Sequence, residues 1–235
     1  MRKFLTALLF VPIFAFANDE LHLDKAPDRT GNNAALQRGA KTFVNYCLNC
    51  HSASYMRYNR LSDIGLSDAQ IKDNLLFTAD KVGEPMKVAL QRADGRVFFG
   101  AAPPDLTVIA RARGSESGSG ADWLYTYLRS FYRDSERPTG WNNTVFPNVG
   151  MPHVLWELQG DQVQGEHHAL ELANPGKLSA AEYDSMVGDL VGYLNYMGEP
   201  GAEARKRLGV FVLLGLFLLF ILTYALKREY WKDVH

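Results

Sequence analysis

Cys47-Leu48-Asn49-Cys50-His51 is the stretch on which the reading of this chain turns. Its two cysteines are the only two in 235 residues, and a histidine follows the second directly. C-x-x-C-H is the attachment signature for haem c. The spacing has a physical basis: residues three apart sit on one side of a helical turn, so both sulfurs can reach the two vinyl groups along one haem edge. His51 is then the next side chain able to swing under the ring and bind iron as proximal ligand. Other readings of a cysteine pair fit less well. A thioredoxin-like redox pair calls for a surrounding βαβ pattern, which the sequence lacks. A zinc site needs two further ligands of similar type, and no third cysteine exists. A plain disulfide would leave His51 unexplained.

Just upstream, Ala34 to Tyr46 reads as an amphipathic helix, with Gly39 and Phe43 eight and four residues before Cys47. The glycine lets a second helix approach closely, and the aromatic one turn later fills the contact. The expected partner is Ser179 to Met197. Ser179 is a plausible N-cap with Glu182 three residues on, and Met186, Leu190, Tyr193, Leu194 and Met197 share an apolar side. A first helix crossing a last helix is the scaffold of single-haem c-type cytochromes. The fold class is therefore mainly α: a cytochrome-c-like haem domain with long irregular loops, plus one C-terminal transmembrane helix.

Iron with one histidine needs a second ligand for electron transfer, and methionine raises the reduction potential relative to a second histidine. Met1 lies in the N-terminal apolar run, Met56 is too close to His51, and Met186 and Met197 belong to the last helix. Met151 is favoured, with His153 and Met86 as alternatives. Met151 lies in Phe146-Pro147-Asn148-Val149-Gly150-Met151-Pro152, a Gly/Pro-crowded loop in which Gly150 removes bulk beside the haem and Pro152 stiffens the approach.

Between these elements, Pro103-Pro104 break regular structure and Asp105 can cap a following helix. Arg111 and Arg113 are candidates to pair with haem propionates, because guanidinium forks match carboxylates. Gly114 to Gly120 reads as a hinge leading into a Trp/Tyr-rich helix from about Ala121 to Tyr132. Asn142 to Pro175 reads as mostly irregular, with His167 and His168 as surface residues.

The two ends carry membrane signals. Residues 1–17 have a basic start, an apolar centre and Ala15-Phe16-Ala17, the pattern of a cleaved signal peptide. Leu208 to Leu226 is uncharged and would span roughly 28 Å, close to the hydrocarbon core. Arg205-Lys206-Arg207 precede it, and Lys227-Arg228, Tyr230-Trp231 and Lys232 follow. Both flanks are basic, so orientation rests on the signal. The expected organisation is 18–203 as a haem domain outside the cytoplasm, 204–227 as the anchor and 228–235 as a cytoplasmic tail. Formal net charge is −1 overall, yet 18–204 holds 17 Lys and Arg against 24 Asp and Glu, a net of −7. An acidic outer domain argues against nucleic acid and suits a basic soluble partner.

Taken in order, the segments resemble the cytochrome c1 family, the haem c subunit of ubiquinol–cytochrome c reductase (the cytochrome bc1 complex). The resemblance rests on Tyr55-Met56-Arg57-Tyr58-Asn59-Arg60-Leu61, on Pro103-Pro104-Asp105-Leu106 with Arg111-Ala112-Arg113, and on the Phe146-Pro147…Gly150-Met151-Pro152 loop. It closes with Tyr193-Leu194, Glu199-Pro200 and Arg205-Lys206-Arg207 before the membrane helix, covering about Gly39 to Trp231. It implies one haem c held by Cys47 and Cys50, with His51 and Met151 as axial ligands. Arg113 would face a propionate, and Pro103 and Pro104 would line the pocket. One electron would arrive from the Rieske iron–sulfur subunit and leave to a soluble or tethered c-type cytochrome, with cytochrome b and lipid beside the anchor. The compact size resembles bacterial members. Some relatives carry a further cysteine pair; with none here, no disulfide braces the Met151 loop. No substrate turns over on such a subunit, so catalysis belongs to the assembly. The alternatives are a haem c subunit or docking cytochrome of a terminal oxidase and, from another class, a haem-based sensor or small peroxidase with an open sixth position.

Overall fold

The computed structural model describes residues 21–165 and 169–233, so the signal-peptide reading, the last two residues of the tail and the pair His167 and His168 lie outside the described residues. Helix α1 (Asn33–Thr42) starts where the Asn32 side chain accepts from Ala35 N at 3.1 Å. It runs on through a π-helical segment, Phe43–Cys47, so the helix ends at the first cysteine. After the C-x-x-C-H come β1 (Ala53–Arg57), a 3-10 segment (Tyr58–Ile64), α2 (Asp68–Asn74), β2 (Pro85–Met86) and α3 (Arg92–Phe99). Helices α4 (Ile109–Ala112) and α5 (Gly120–Arg129) follow, then the β3 (Phe131–Arg133) and β4 (Trp141–Asn143) pair. A loop leads to α6 (Trp156–Gln159), the antiparallel hairpin β5 (Gly160–Gln164) and β6 (Leu170–Pro175), α7 (Ala180–Gly198) and α8 (Ala202–Tyr230). Strands occur only as two-stranded antiparallel pairs among the described residues, so helices build the core.

The helix crossing read from Gly39 and Phe43 is present. A Cβ on Gly39 would lie 2.1 Å from the Asp189 carbonyl oxygen of α7, so only glycine permits this approach. One turn on, the Phe43 ring meets Tyr193 at 5.6 Å. Ser179 and Glu182 form the expected capping box, exchanging bonds with each other's backbone amides. The buried side of α7 carries Tyr183, Val187, Leu190, Tyr193, Leu194 and Met197.

Several expectations need correction. The Trp/Tyr-rich helix ends at Arg129, because the chain turns at Ser130 and pairs Phe131 with Asn143 as a strand. The Gly/Ser stretch before it is a tight turn bridged between Ser115 and Gly118, and Ser119 then caps α5 with Asp122. Asn142 to Pro175 is less irregular than its composition suggests: it holds the end of β4, α6 and the β5–β6 hairpin. Asp105 caps no helix; it accepts from Thr107 N and from Ser54 N, tying a turn to the segment after His51.

Upstream of α1, residues 21–30 form a strap along α5 and α7. Asp24 N donates to Thr126 Oγ1 at 2.8 Å, Ala26 N to Asp122 Oδ1 at 2.8 Å, and Arg29 pairs with Asp189 at 3.0 Å. At the other end α8 carries no buried residue. Its mean hydropathy reaches 2.6, and among the described residues it is the one helix long and apolar enough to cross a membrane.

Candidate functional site

The segment Cys47–His51 opens into a cleft with about 1340 Å³ of empty space, counted with its solvent-open mouth. Cys47, Cys50 and His51 line it, as do Pro103, Pro104, Arg113 and Met151. These residues come from four separate stretches of chain. Most of the remaining lining is apolar, including Phe99, Ile109, Leu124, Leu190 and Leu194. An apolar, half-open slot of this kind suits a flat, largely hydrophobic ligand with one polar edge.

His51 is held in one tautomer. Its Nδ1 lies 2.8 Å from the Pro104 carbonyl oxygen. That oxygen can only accept, so Nδ1 carries the proton and Nε2 keeps its lone pair. Burial pulls the imidazole below its ordinary pKa, against the opposing pull of that hydrogen bond and of Asp105; the ring is neutral at pH 7, as a metal ligand must be. The Pro103–Thr107 stretch is fastened to the residues after His51. Leu106 N donates to Ser52 O at 2.8 Å, Ser54 N to Asp105 Oδ2 at 2.8 Å, and Tyr55 N to Thr107 Oγ1 at 3.3 Å. Proline at 104 thus contributes a carbonyl as well as an apolar wall.

Cys47 and Cys50 are not joined to each other as a disulfide, and burial pushes the Cys47 thiol up to about 12. Among the described residues no three His, Cys, Asp or Glu side chains gather as a metal site, so the pair has no partners for zinc.

Three methionine or histidine candidates for the sixth position separate cleanly. Met151 lines the cleft, and the Tyr127 hydroxyl donates to its Sδ at 3.3 Å. Met86 is fully buried away from the cleft, where Tyr193 OH approaches its sulfur at 3.7 Å. His153 is buried against Phe131, the rings parallel to within 6° at 4.8 Å, with Trp141 edge-on at 5.0 Å. Burial pulls its pKa down to about 4, so it is a neutral core residue anchoring the far end of the Met151 loop. Gly150 does line the cleft, yet its tightest neighbour is protein: a Cβ there would sit 2.5 Å from the Phe99 carbonyl oxygen.

The two arginines also part company. Arg111 turns away to Glu199 at 2.9 Å, bridging α4 to the end of α7. Arg113 lies in the cleft, its guanidinium 4.4 Å above Trp123 and 5.6 Å from Phe146. No Asp or Glu among the described residues pairs with it. A cation stacked on aromatics and lacking a carboxylate, at the edge of an apolar slot, is matched by a ligand that brings its own carboxylates. The cleft therefore fits haem c on three counts: attachment thiols, one imidazole with a free Nε2 and one thioether, and an unpaired guanidinium.

Reading the residues alone misses Tyr127, Trp123, Asn142 and Asn143. Trp123 and Tyr127 stack at 4.8 Å one helical turn apart, an i, i+4 aromatic pair that core packing also produces. Asn142 and Asn143 carry no signal until their partners are seen.

Comparison with known proteins adds the family. Residues 25–234 match the model described as the Cytochrome C1 family. A protein of Nitrosomonas europaea named ammonia monooxygenase gamma subunit is 49% identical, over all of this chain and 99% of that protein. Cytochrome c1 of Allochromatium vinosum is 47% identical over the full length of both. Cytochrome c1 of Rhodospirillum rubrum is 31% identical, over 85% of this chain and 81% of its own.

Proposed function

The chain belongs to the cytochrome c1 family, whose covalent haem c it carries, and on that premise we propose which residues hold the haem and between which partners they relay electrons. Cys47 and Cys50 would hold the haem through two thioether links, and His51 and Met151 would bind its iron. Arg113 faces a propionate, while Pro103 and Pro104 line the ring. The observation that carries this reading is the 2.8 Å bond from His51 Nδ1 to the Pro104 carbonyl, in the same apolar cleft that Met151 lines. When bound, haem c supplies a one-electron iron couple.

The protein's own residues adapt that couple to relay. With both His51 and Met151 supplying donors, these residues would leave the iron without an open position, which suits electron relay rather than substrate turnover. The apolar lining keeps water from the ring, Arg113 offsets propionate charge, and Tyr127 holds the Met151 thioether by its sulfur. Burial pushes the Tyr127 phenol up, so it stays protonated and able to donate.

The electron arrives from the Rieske iron–sulfur subunit and leaves to a soluble or tethered c-type cytochrome, in a complex with cytochrome b. Support comes from the relatives named cytochrome c1 and from the acidic character of 18–204, which suits a basic acceptor. The helix α8 is the single-pass anchor. The haem domain, 18–203, lies on the periplasmic side of a bacterial inner membrane, delivered by a signal peptide at 1–17. The 204–227 stretch spans the bilayer, and 228–235 remains cytoplasmic. The name of the Nitrosomonas relative points to ammonia oxidation, and a haem relay is the contribution this cleft could make there too; a terminal oxidase is the other setting. Affinity purification of the full chain from its native membrane, with a reduced-minus-oxidised spectrum, decides among them. Cytochrome b and a Rieske protein should copurify. Copper–haem oxidase or ammonia-oxidising subunits in their place would overturn the assignment. Loss of haem peroxidase stain from the denatured chain would overturn covalent attachment itself.

A further inference from the structure

The Met151 loop, from Thr144 to Leu155, contains no helix or strand, and the chain's two cysteines are both in the C-x-x-C-H, so no cross-link holds it. Two adjacent asparagines at the end of β4 do. Asn143 is 1% exposed. Its Oδ1 accepts from Val145 N at 2.9 Å, Phe146 N at 3.1 Å and Ser130 Oγ at 3.3 Å, and its Nδ2 donates to the Tyr127 carbonyl at 2.8 Å. Asn142 Oδ1 accepts from Asn148 N at 2.8 Å and from Asn143 N at 2.9 Å, while its Nδ2 donates to Asp134 at 2.8 Å. Asn148 itself sits at a φ of 63°, and Arg137 grips its side chain at 3.0 Å and its carbonyl at 2.9 Å.

These bonds are more than a loop closing on itself. Asn143 Nδ2 ties the loop to the backbone of Tyr127, and the hydroxyl of the same tyrosine donates to Met151 Sδ at 3.3 Å. The carboxamide thus joins the start of the loop, the helix that contacts the sulfur and, through the chain, Met151 itself. We infer that Asn142 and Asn143 are positioning residues that hold the Met151 thioether at the iron, in place of a covalent brace. This rests on the reading of Met151 as a ligand.

Only an amide serves at 143. Alanine removes the acceptor for Val145 N and Phe146 N, leaving those amides without a partner, and leaves the Tyr127 carbonyl with Ser130 alone. Aspartate keeps the acceptor but loses the donor and brings charge into a closed space. The loop then opens part of the time, and the fraction of molecules with a vacant sixth position rises.

The test compares the holoprotein with Met151→Leu, Asn143→Ala, Asn142→Ala and Ile71→Ala. Ile71 is fully buried on α2 and does not line the cleft, so its variant reports stability loss alone. The readouts are the weak far-red sulfur-to-iron(III) charge-transfer band and carbon monoxide binding by the reduced protein. The native protein should show the band and Met151→Leu should not, which secures the ligand reading. Asn143→Ala should then lose most of the band and bind carbon monoxide about tenfold more tightly or better. Asn142→Ala should shift both readouts in the same direction by less, and Ile71→Ala should match the native protein. A full band with unchanged carbon monoxide affinity in both asparagine variants overturns the inference while leaving the ligand reading intact. Equal loss in Ile71→Ala also overturns it. Absence of the band from the native protein removes the ligand reading and this inference with it.

Discussion

Met151 and Tyr127 show how much one atom contact decides. Exchanging Met151 for leucine keeps volume but removes the sulfur, and with it the soft ligand proposed for the reduced state. The midpoint potential should fall by roughly 0.1 V or more, within the ~0.8 V range that axial ligands command, as redox titration of the holoprotein will read. An unchanged potential would remove Met151 from the iron. Tyr127→Phe tests a finer effect. The ring keeps its stack on Trp123, but the O–H that drains electron density from Met151 Sδ is gone. The potential should drop by less than in Met151→Leu, and the charge-transfer band should persist. At this scale the C-x-x-C-H is legible from sequence because its chemistry is local: three side chains within five residues. Arg111 and Arg113 are not separable that way. Both are forks of the same reach, and only the position of Glu199 at the end of α7 shows which one is already engaged.

Among the elements, α1 crossing α7 is the joint most exposed to test. Gly39→Ala would press a methyl into the Asp189 carbonyl, and neither backbone can yield without moving the C-x-x-C-H that α1 carries. Overpacking of this kind costs about 3 kcal/mol, to be seen as a lower denaturant midpoint with haem still attached. The strap on α5 gives a pH prediction. Burial raises the Asp122 carboxyl, but hydrogen bonds from Lys25, Ala26 and Ser119 outweigh it and hold the group at about 2, below its ordinary 3.8. A depressed carboxyl lends stability that is complete above 3.8 and disappears as the pH falls through about 2. Between those values the strap should release first, giving faster amide exchange over residues 21–30 than over α7. Uniform exchange would contradict it. The crossing is visible beforehand as a glycine–aromatic spacing; the strap is not, since it depends on which acidic side chain lies beneath residues 24 to 29.

For the whole molecule, the question is whether the anchor contributes to the haem fold. No residue of α8 is buried, and among the described residues its side-chain polar contacts reach back only to Glu199, the rest lying within the helix or at Lys232 just past its end. A chain ended after Gly201 should therefore fold as a water-soluble domain with the spectrum and stability of the full protein. Its thermal midpoint should agree within a few degrees, and a drop beyond that would mean α8 supports the domain. Sequence by itself determined the haem attachment, the α1 and α7 scaffold, the apolar anchor and the family, because each is written in short spacings or in unbroken composition. For the sixth position it favoured Met151 and left His153 and Met86 as alternatives. Only the tertiary structure put Met151 in the cleft, Met86 under Tyr193 and His153 against Phe131. It alone gave the Met151 loop its Asn142 and Asn143 supports. The reason is physical: a loop without periodicity takes its shape from partners distant in the chain, and those partners meet only when the helices have packed.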